Sequence, residues 1–179
     1  MREAVTMLGL AHGTVRLLRH NEEWHRLFEE EKEQIIASVG DRMLRIEHIG
    51  STSICGILAK PILDIMIGIP SFEPKLTFTN AIEFLGYEYK GENGVPERHF
   101  FGKGAPRTVH LNVVSFGGDF WLSHIAFRDY LRQNPNAALE YEQLKRSLAE
   151  RFAKDRESYT NGKLQFVEKI LALAGRKQT

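Results

Sequence analysis

From Glu47 to Ile67 the sequence runs Glu-His-Ile-Gly-Ser-Thr-Ser-Ile-Cys-Gly-Ile-Leu-Ala-Lys-Pro-Ile-Leu-Asp-Ile-Met-Ile, a small polar loop between two apolar stretches with a lone carboxylate on the second. These residue types suit phosphate chemistry. Gly50 lets the backbone approach an anion, the Ser51 hydroxyl offers a donor, and Thr52 and Ser53 extend the polar run. Asp64 interrupts an apolar strand, where a carboxylate needs a partner or a metal. With alternate strand residues sharing a face, Asp64 points with Met66, and His110 with Thr108 and Asn112. His48, Asp64, His110 and Asn112 are therefore candidate ligands of Mg²⁺ or Mn²⁺, while Lys60, Arg98, Lys103, Arg107 and Arg128 are candidate counter-charges for phosphate.

Each candidate also has a structural reading. Ser51 can cap a helix, Asp64 can pair with Lys60 or accept the loop amides, and His48 and His110 can be hydrogen-bonded core histidines. Glu47 can pair with Arg45 or Lys60, and Arg128 with Asp129 on a helix surface. His99, Phe127 and Tyr130 read as structural. Cys55 reads as a permissive loop residue rather than a nucleophile, because no base is assigned to it.

The elements that must position these groups follow from periodicity and caps. Val15 to Leu18 reads as a short strand, and Asn21 as the N-cap of a helix whose apolar positions are Trp24, Leu27, Phe28, Ile35 and Val39, with Gly40 as its stop. Leu44 to Ile49 and Ile62 to Ile69 read as strands, the second apolar enough to be covered on both faces. Pro74 to Leu85 reads as a helix, followed by strands at Tyr87 to Lys90, Arg98 to Phe101 and Thr108 to Val114. After Gly117 and Gly118 the pattern is helical. Asp119 caps one helix through Leu131, Asn134 and Pro135 open a second with Tyr141, Leu144, Leu148 and Phe152 on its core face, and a third runs from Lys163 to Ala174. The expectation is a mixed α/β sheet flanked by helices, with a C-terminal helical segment over 119–175.

Composition bounds the function classes. The chain has 179 residues, 42% hydrophobic and 26% charged, which is enough for one domain over 1–179, with 1–13 expected as a loosely ordered leader. Lys and Arg total 24 against 23 Asp and Glu, a net charge of +1 that argues against a general nucleic-acid or membrane-surface binder. One cysteine allows no intrachain disulfide and fits a reducing compartment, and the first residues make a poor secretory signal. No apolar run reaches membrane-spanning length, so the expected location is cytoplasmic.

Five separated motifs carry a family resemblance: His48-Ile-Gly-Ser-Thr-Ser, Ala59-Lys-Pro-Ile-Leu-Asp-Ile, Arg98-His-Phe-Phe, His110-Leu-Asn-Val-Val and Phe127-Arg-Asp-Tyr-Leu-Arg. In this order they resemble the GrpB family from about Val15 to Leu171. The resemblance implies a nucleotidyltransferase-like fold, in which a Gly-Ser loop binds a nucleotide's phosphates and strand carboxylates hold a divalent metal. It makes Asp64 and Ser51 the catalytic candidates, Gly50, Ser51, Thr52, Ser53, Lys60, Arg98 and Arg128 the phosphate-binding candidates, and Asp64, His48, His110 and Asn112 the metal candidates.

The chain departs from that pattern at four points, one of them Cys55, where relatives commonly carry Pro. The second acid of the superfamily falls at Met66, the third falls near His110 to Asn112 where no acid occurs, and a histidine common among relatives is Asn112. Two functions follow as expectations: metal-dependent nucleotidyl transfer from a nucleotide to an unspecified acceptor, or a degenerate site that senses a nucleotide or other phosphate-bearing metabolite or serves as an adaptor. GrpB-like domains attached to dephospho-coenzyme A kinase suggest a coenzyme A-related ligand, although no Gly-x-x-x-x-Gly-Lys-Ser/Thr run is present here.

Overall fold

A computed structural model of the chain describes residues 8–175. Helix α1 spans Glu23–Val39 and buries Trp24, Phe28, Ile35 and Val39. The Asn21 side chain accepts the Glu23 backbone N–H at 2.9 Å, and Gly40, at φ 62°, ends the helix. The strands are β1 (Arg45–Ile49), β2 (Leu63–Ile69), β3 (Tyr87–Tyr89), β4 (Arg98–Lys103) and β5 (Val109–Ser115). They form one sheet in the order β1-β2-β5-β4-β3, with β2 and β5 parallel and every other neighbouring pair antiparallel. The remaining helices are α2 (Thr79–Phe84), α3 (Asp119–Gln133), α4 (Pro135–Arg151), α5 (Arg156–Asn161) and α6 (Leu164–Leu173).

Strand alternation divides the chemistry between two faces. Leu63, Ile65, Ile67, Leu111 and Val113 join Trp24, Phe28 and Ile82 in the largest core, beneath α1 and α2. Asp64, Met66, His110 and Asn112 occupy the other face, where Met66 packs with Ile49, Val114 and Trp121 of α3. A third cluster ties Ile54 and Ile57, just beyond the Gly-Ser loop, to Leu131, Tyr141 and Ile170 of α3, α4 and α6. The C-terminal helices thereby close over the face that carries Asp64. Among the described residues no helix is long and apolar enough to cross a membrane.

Several local expectations need correction. Val15 to Leu18 forms no strand; Leu18 makes only an isolated bridge to Ala59. Regular α-helix in the Pro74 to Leu85 stretch is confined to α2, because the residues before Thr79 close turns instead. Asp119 is the first helical residue of α3 rather than its cap. Asn134 and Pro135 do open α4, with Asn134 at the N-cap position, but the Asn134 amide donates back to the Tyr130 carbonyl at 2.8 Å and makes no capping bond. The C-terminal segment contains an additional short helix, α5, capped by Asp155, whose side chain accepts the Ser158 N–H. Within the expected leader, Leu10 is buried and exchanges backbone hydrogen bonds with Arg107, while residues 1–7 lie outside the described residues.

Candidate functional site

Asp64 sits at the start of β2 directly beside His110 of β5, a register that parallel pairing imposes. Its Oδ1 accepts the His110 Nδ1–H at 2.9 Å. Gly50 ends β1 at φ 69°, and a Cβ there would lie 3.0 Å from Asp64 Cγ and closer still to Oδ2. A side chain is thus excluded twice, by torsion and by the carboxylate. The turn that follows is held internally: Ser53 Oγ donates to the Gly50 carbonyl at 2.6 Å, and Thr52 Oγ1 contacts His48 Nε2 at 2.9 Å.

Above Asp64 lies a cavity of about 560 Å³ between this face of the sheet and the C-terminal helices. Gly50, Ser51 and Thr52 form one rim, Asn93 and Arg98 another, and Arg156, Tyr159 and Lys163 the helical wall. Lys60 and Lys163 both approach the Tyr159 ring, with Nζ 5.3 and 4.7 Å from its centroid. One Arg156 N–H points to His110 Nε2 at 3.4 Å. Phe100, Phe120, Phe127 and Tyr141 supply flat apolar surface.

The electrostatics follow from crowding. Burial lowers the Lys163 ammonium to about 8, with Lys60 and Arg156 adding repulsion that Asp64 only partly offsets. Burial also lowers Lys60, and Arg156 acts in the same direction. Behind them Lys145 is 1% exposed and donates to the Leu58 carbonyl; burial, then the charges of Lys163 and Lys60, brings it to about 7. Burial opposes ionisation of Asp64, but the His110 hydrogen bond and the surrounding positive charges hold its carboxyl below the usual range. Tyr141, raised by burial to about 12, has Ser51 as a side-chain hydrogen-bond partner.

The candidates named from sequence therefore separate. Gly50, Ser51, Thr52, Lys60, Asp64, Arg98, His110 and Asn112 line the cavity. His48 pairs with Ile65 and projects through the opposite face, where it stacks on Phe28 at 4.7 Å and burial pushes it down to about 3. Ser53 lies outside the cavity. Arg128 is buried on α3, where it donates to Glu47 at 2.8 Å, to Asp129 at 2.7 Å and to the His48 carbonyl at 3.0 Å. It joins α3 to β1, a more buried arrangement than the expected surface pair. Lys103 pairs with Glu31 on the α1 side, Arg107 lies beside Glu88, and His99 donates from Nε2 to the Glu73 carbonyl while its Nδ1 meets the Tyr89 hydroxyl.

The donor chemistry does not fit a resident Mg²⁺ or Mn²⁺ ion. Among the described residues Asp64 is the one carboxylate lining the cavity, already bonded to His110 and flanked by cations. Asn112 accepts from Arg98 at 3.2 Å and donates to the Ile65 carbonyl at 3.3 Å, so both ends of its amide are engaged. Among the described residues no group of three or more His, Cys, Asp or Glu side chains is arranged to hold a metal ion. Met66 is 0% exposed beneath Trp121, so even an acid at that position would enter an apolar cluster rather than the cavity.

Sequence reasoning missed Arg156, Tyr159, Lys163 and His124. They lie far along the chain from the Gly-Ser loop, on or beside C-terminal helices whose docking has no local signature. One signal was available: Lys163 immediately precedes α6, where a positive charge opposes the helix dipole, and such local conflicts gather at functional sites.

Comparison with known proteins agrees with the motifs. The family model described as GrpB protein matches residues 14–173. The chain is 42% identical over 171 residues to the glutamate-rich protein GrpB of Alkalihalophilus pseudofirmus, covering 92% of this chain and 98% of that one. It is 24% identical to a dephospho-CoA kinase of Mycolicibacterium paratuberculosis, over 84% of this chain and 43% of the kinase. The crystal structure of conserved protein GrpB from Enterococcus faecalis superimposes with a TM-score of 0.82 at 35% identity, covering 89% of this chain and 96% of that chain.

Proposed function

The chain belongs to the GrpB family, and we propose that it binds a phosphate-bearing small molecule, a nucleotide or coenzyme A precursor among the candidates, in the cavity above Asp64. The observation that carries this reading is the gathering of Lys60, Arg156 and Lys163 around a single carboxylate. Like charges held together in a partly desolvated space repel, and a polyanion converts that repulsion into charge-assisted hydrogen bonds. Gly50 and Ser51 form the adjoining rim, and Asp64 with His110 can accept or orient a hydroxyl of the ligand.

Binding without nucleotidyl transfer is the better-supported form of this proposal. Transfer through a carboxylate metal clamp needs further acids, but the second acidic position is buried Met66 and no acid occurs from His110 to Asn112. The similarity to a dephospho-CoA kinase adds coenzyme A precursors to the ligands worth testing.

The test is a thermal-shift and calorimetry panel of tripolyphosphate, nucleoside triphosphates and coenzyme A precursors, with and without Mg²⁺, followed by product analysis. Metal-independent stabilisation without pyrophosphate release is the expected result. If none of these phosphate compounds stabilises the protein, the proposal is lost. Asp64→Asn separates the two chemistries: removing a negative charge leaves tripolyphosphate binding intact or tighter, whereas metal-dependent turnover abolished by the same substitution would establish transfer instead.

A further inference from the structure

Building on the phosphate-binding reading, we infer that the Arg98, Phe120 and His124 end of the cavity recognises a nucleobase, with His124 Nε2 accepting a hydrogen bond from an N–H on its edge. A row of planar groups runs along the cavity wall. From His110, the Phe100 ring lies 5.3 Å away. The Arg98 guanidinium lies 4.9 Å from Phe100 and 5.7 Å from Phe120. Phe120 in turn stacks on His124, with centroids 3.9 Å apart and planes 20° from parallel. This row begins at the Asp64–His110 pair, where the lysines gather, and ends at an imidazole.

The hydrogen-bonding state of that imidazole is determined by its neighbour. His124 Nδ1 lies 2.8 Å from the Phe120 carbonyl oxygen, which can only accept, so Nδ1 carries the proton. Burial lowers the ring's pKa below its ordinary value, with Arg98 acting in the same direction against the Phe120 carbonyl and Asp64. The neutral ring therefore presents Nε2 as a bare acceptor, with no partner among the described residues.

Arg98 complements it as a donor. Four of its N–H groups donate to uncharged oxygens, the Glu92 carbonyl twice, the Asn93 carbonyl and the Asn112 amide, leaving one N–H of its five and a full charge with no carboxylate partner among the described residues. An acceptor and a donor beside flat aromatic surfaces match the mixed donor and acceptor edge of a planar heterocycle. A plain sugar phosphate or inorganic polyphosphate has no such edge. With the cationic end holding phosphate, the combined ligand class is a nucleotide.

Two substitutions at His124 test this inference. His124→Asn keeps a donor for the Phe120 carbonyl and loses Nε2; His124→Phe keeps the ring and loses both nitrogens. Calorimetric affinities for ATP, GTP, CTP, UTP and tripolyphosphate are compared across wild type and both variants, with circular dichroism and Tm confirming the fold. The expectation is that at least one nucleotide binds wild type tenfold or more tightly than tripolyphosphate, and that each folded variant loses this advantage while keeping its tripolyphosphate affinity within about twofold. Tripolyphosphate binding with no nucleotide advantage in wild type would overturn the nucleobase assignment and leave the phosphate reading standing. A nucleotide advantage that survives in a folded variant would also overturn it. Failure of every probe, tripolyphosphate included, would remove both readings.

Discussion

Lys163 concentrates the electrostatic argument, because its ammonium is needed for an anion yet is disfavoured without one. Its pKa of about 8 lies below that of an unfolded lysine, near 10.4. The unfolded chain binds more protons between these values, so stability of the unliganded protein rises with pH across that window; the charged amine destabilises the fold most fully below it. Lys145, lowered to about 7, adds to the same slope. Denaturant unfolding at pH 7, 8 and 9 checks the sign. Anion affinity runs oppositely, falling above pH 8 as Lys163 loses its proton, which calorimetry with tripolyphosphate measures. Lys163→Gln removes a charge-assisted contact of about 1.5–3 kcal/mol, so tripolyphosphate binding should weaken on the order of 10- to 100-fold. At Gly50 the prediction is structural: Gly50→Ala combines a left-handed φ with a clash against Asp64 and should cost about 1–3 kcal/mol in stability.

At the scale of elements, α3 decides which of its polar side chains can meet a ligand. Arg128 points to β1 and satisfies Glu47 and the His48 carbonyl, whereas His124 on the same helix faces the cavity. Arg128→Ala should therefore lower stability by about 1.5–3 kcal/mol, the range for a hydrogen bond to a charged group, and leave tripolyphosphate affinity unchanged. A denaturant midpoint and a binding isotherm on the same variant check both halves. The expectation that Arg128 contacts phosphate arose from its motif; its helix phase, which only the packed structure reveals, directs it elsewhere. His48 shows the same limit on β1. Its neighbour Ile49 is paired with Asp64, so alternation sends His48 to the α1 face whatever its chemical aptitude as a ligand.

For the whole molecule, the site is closed by parts distant in sequence: a loop at 50–52, β4 and β5, and helices beyond residue 119. A ligand bridging them should stabilise the native state globally. At a concentration 100 times Kd the gain is about 2.7 kcal/mol, which corresponds to a rise in Tm on the order of 5–10 °C for a chain of this size. The amino-acid order by itself determined the family, the mixed sheet with its C-terminal helices, and the Gly50 to Asp64 half of the cavity, because motifs, alternation and caps act over neighbouring residues. It also signalled through Met66 that a two-acid metal clamp was incomplete. Tertiary structure alone decided that Lys163, Arg156 and His124 join Asp64 while His48 and Arg128 do not. Strand register and helix docking set those meetings, and both depend on burying apolar faces drawn from across the chain.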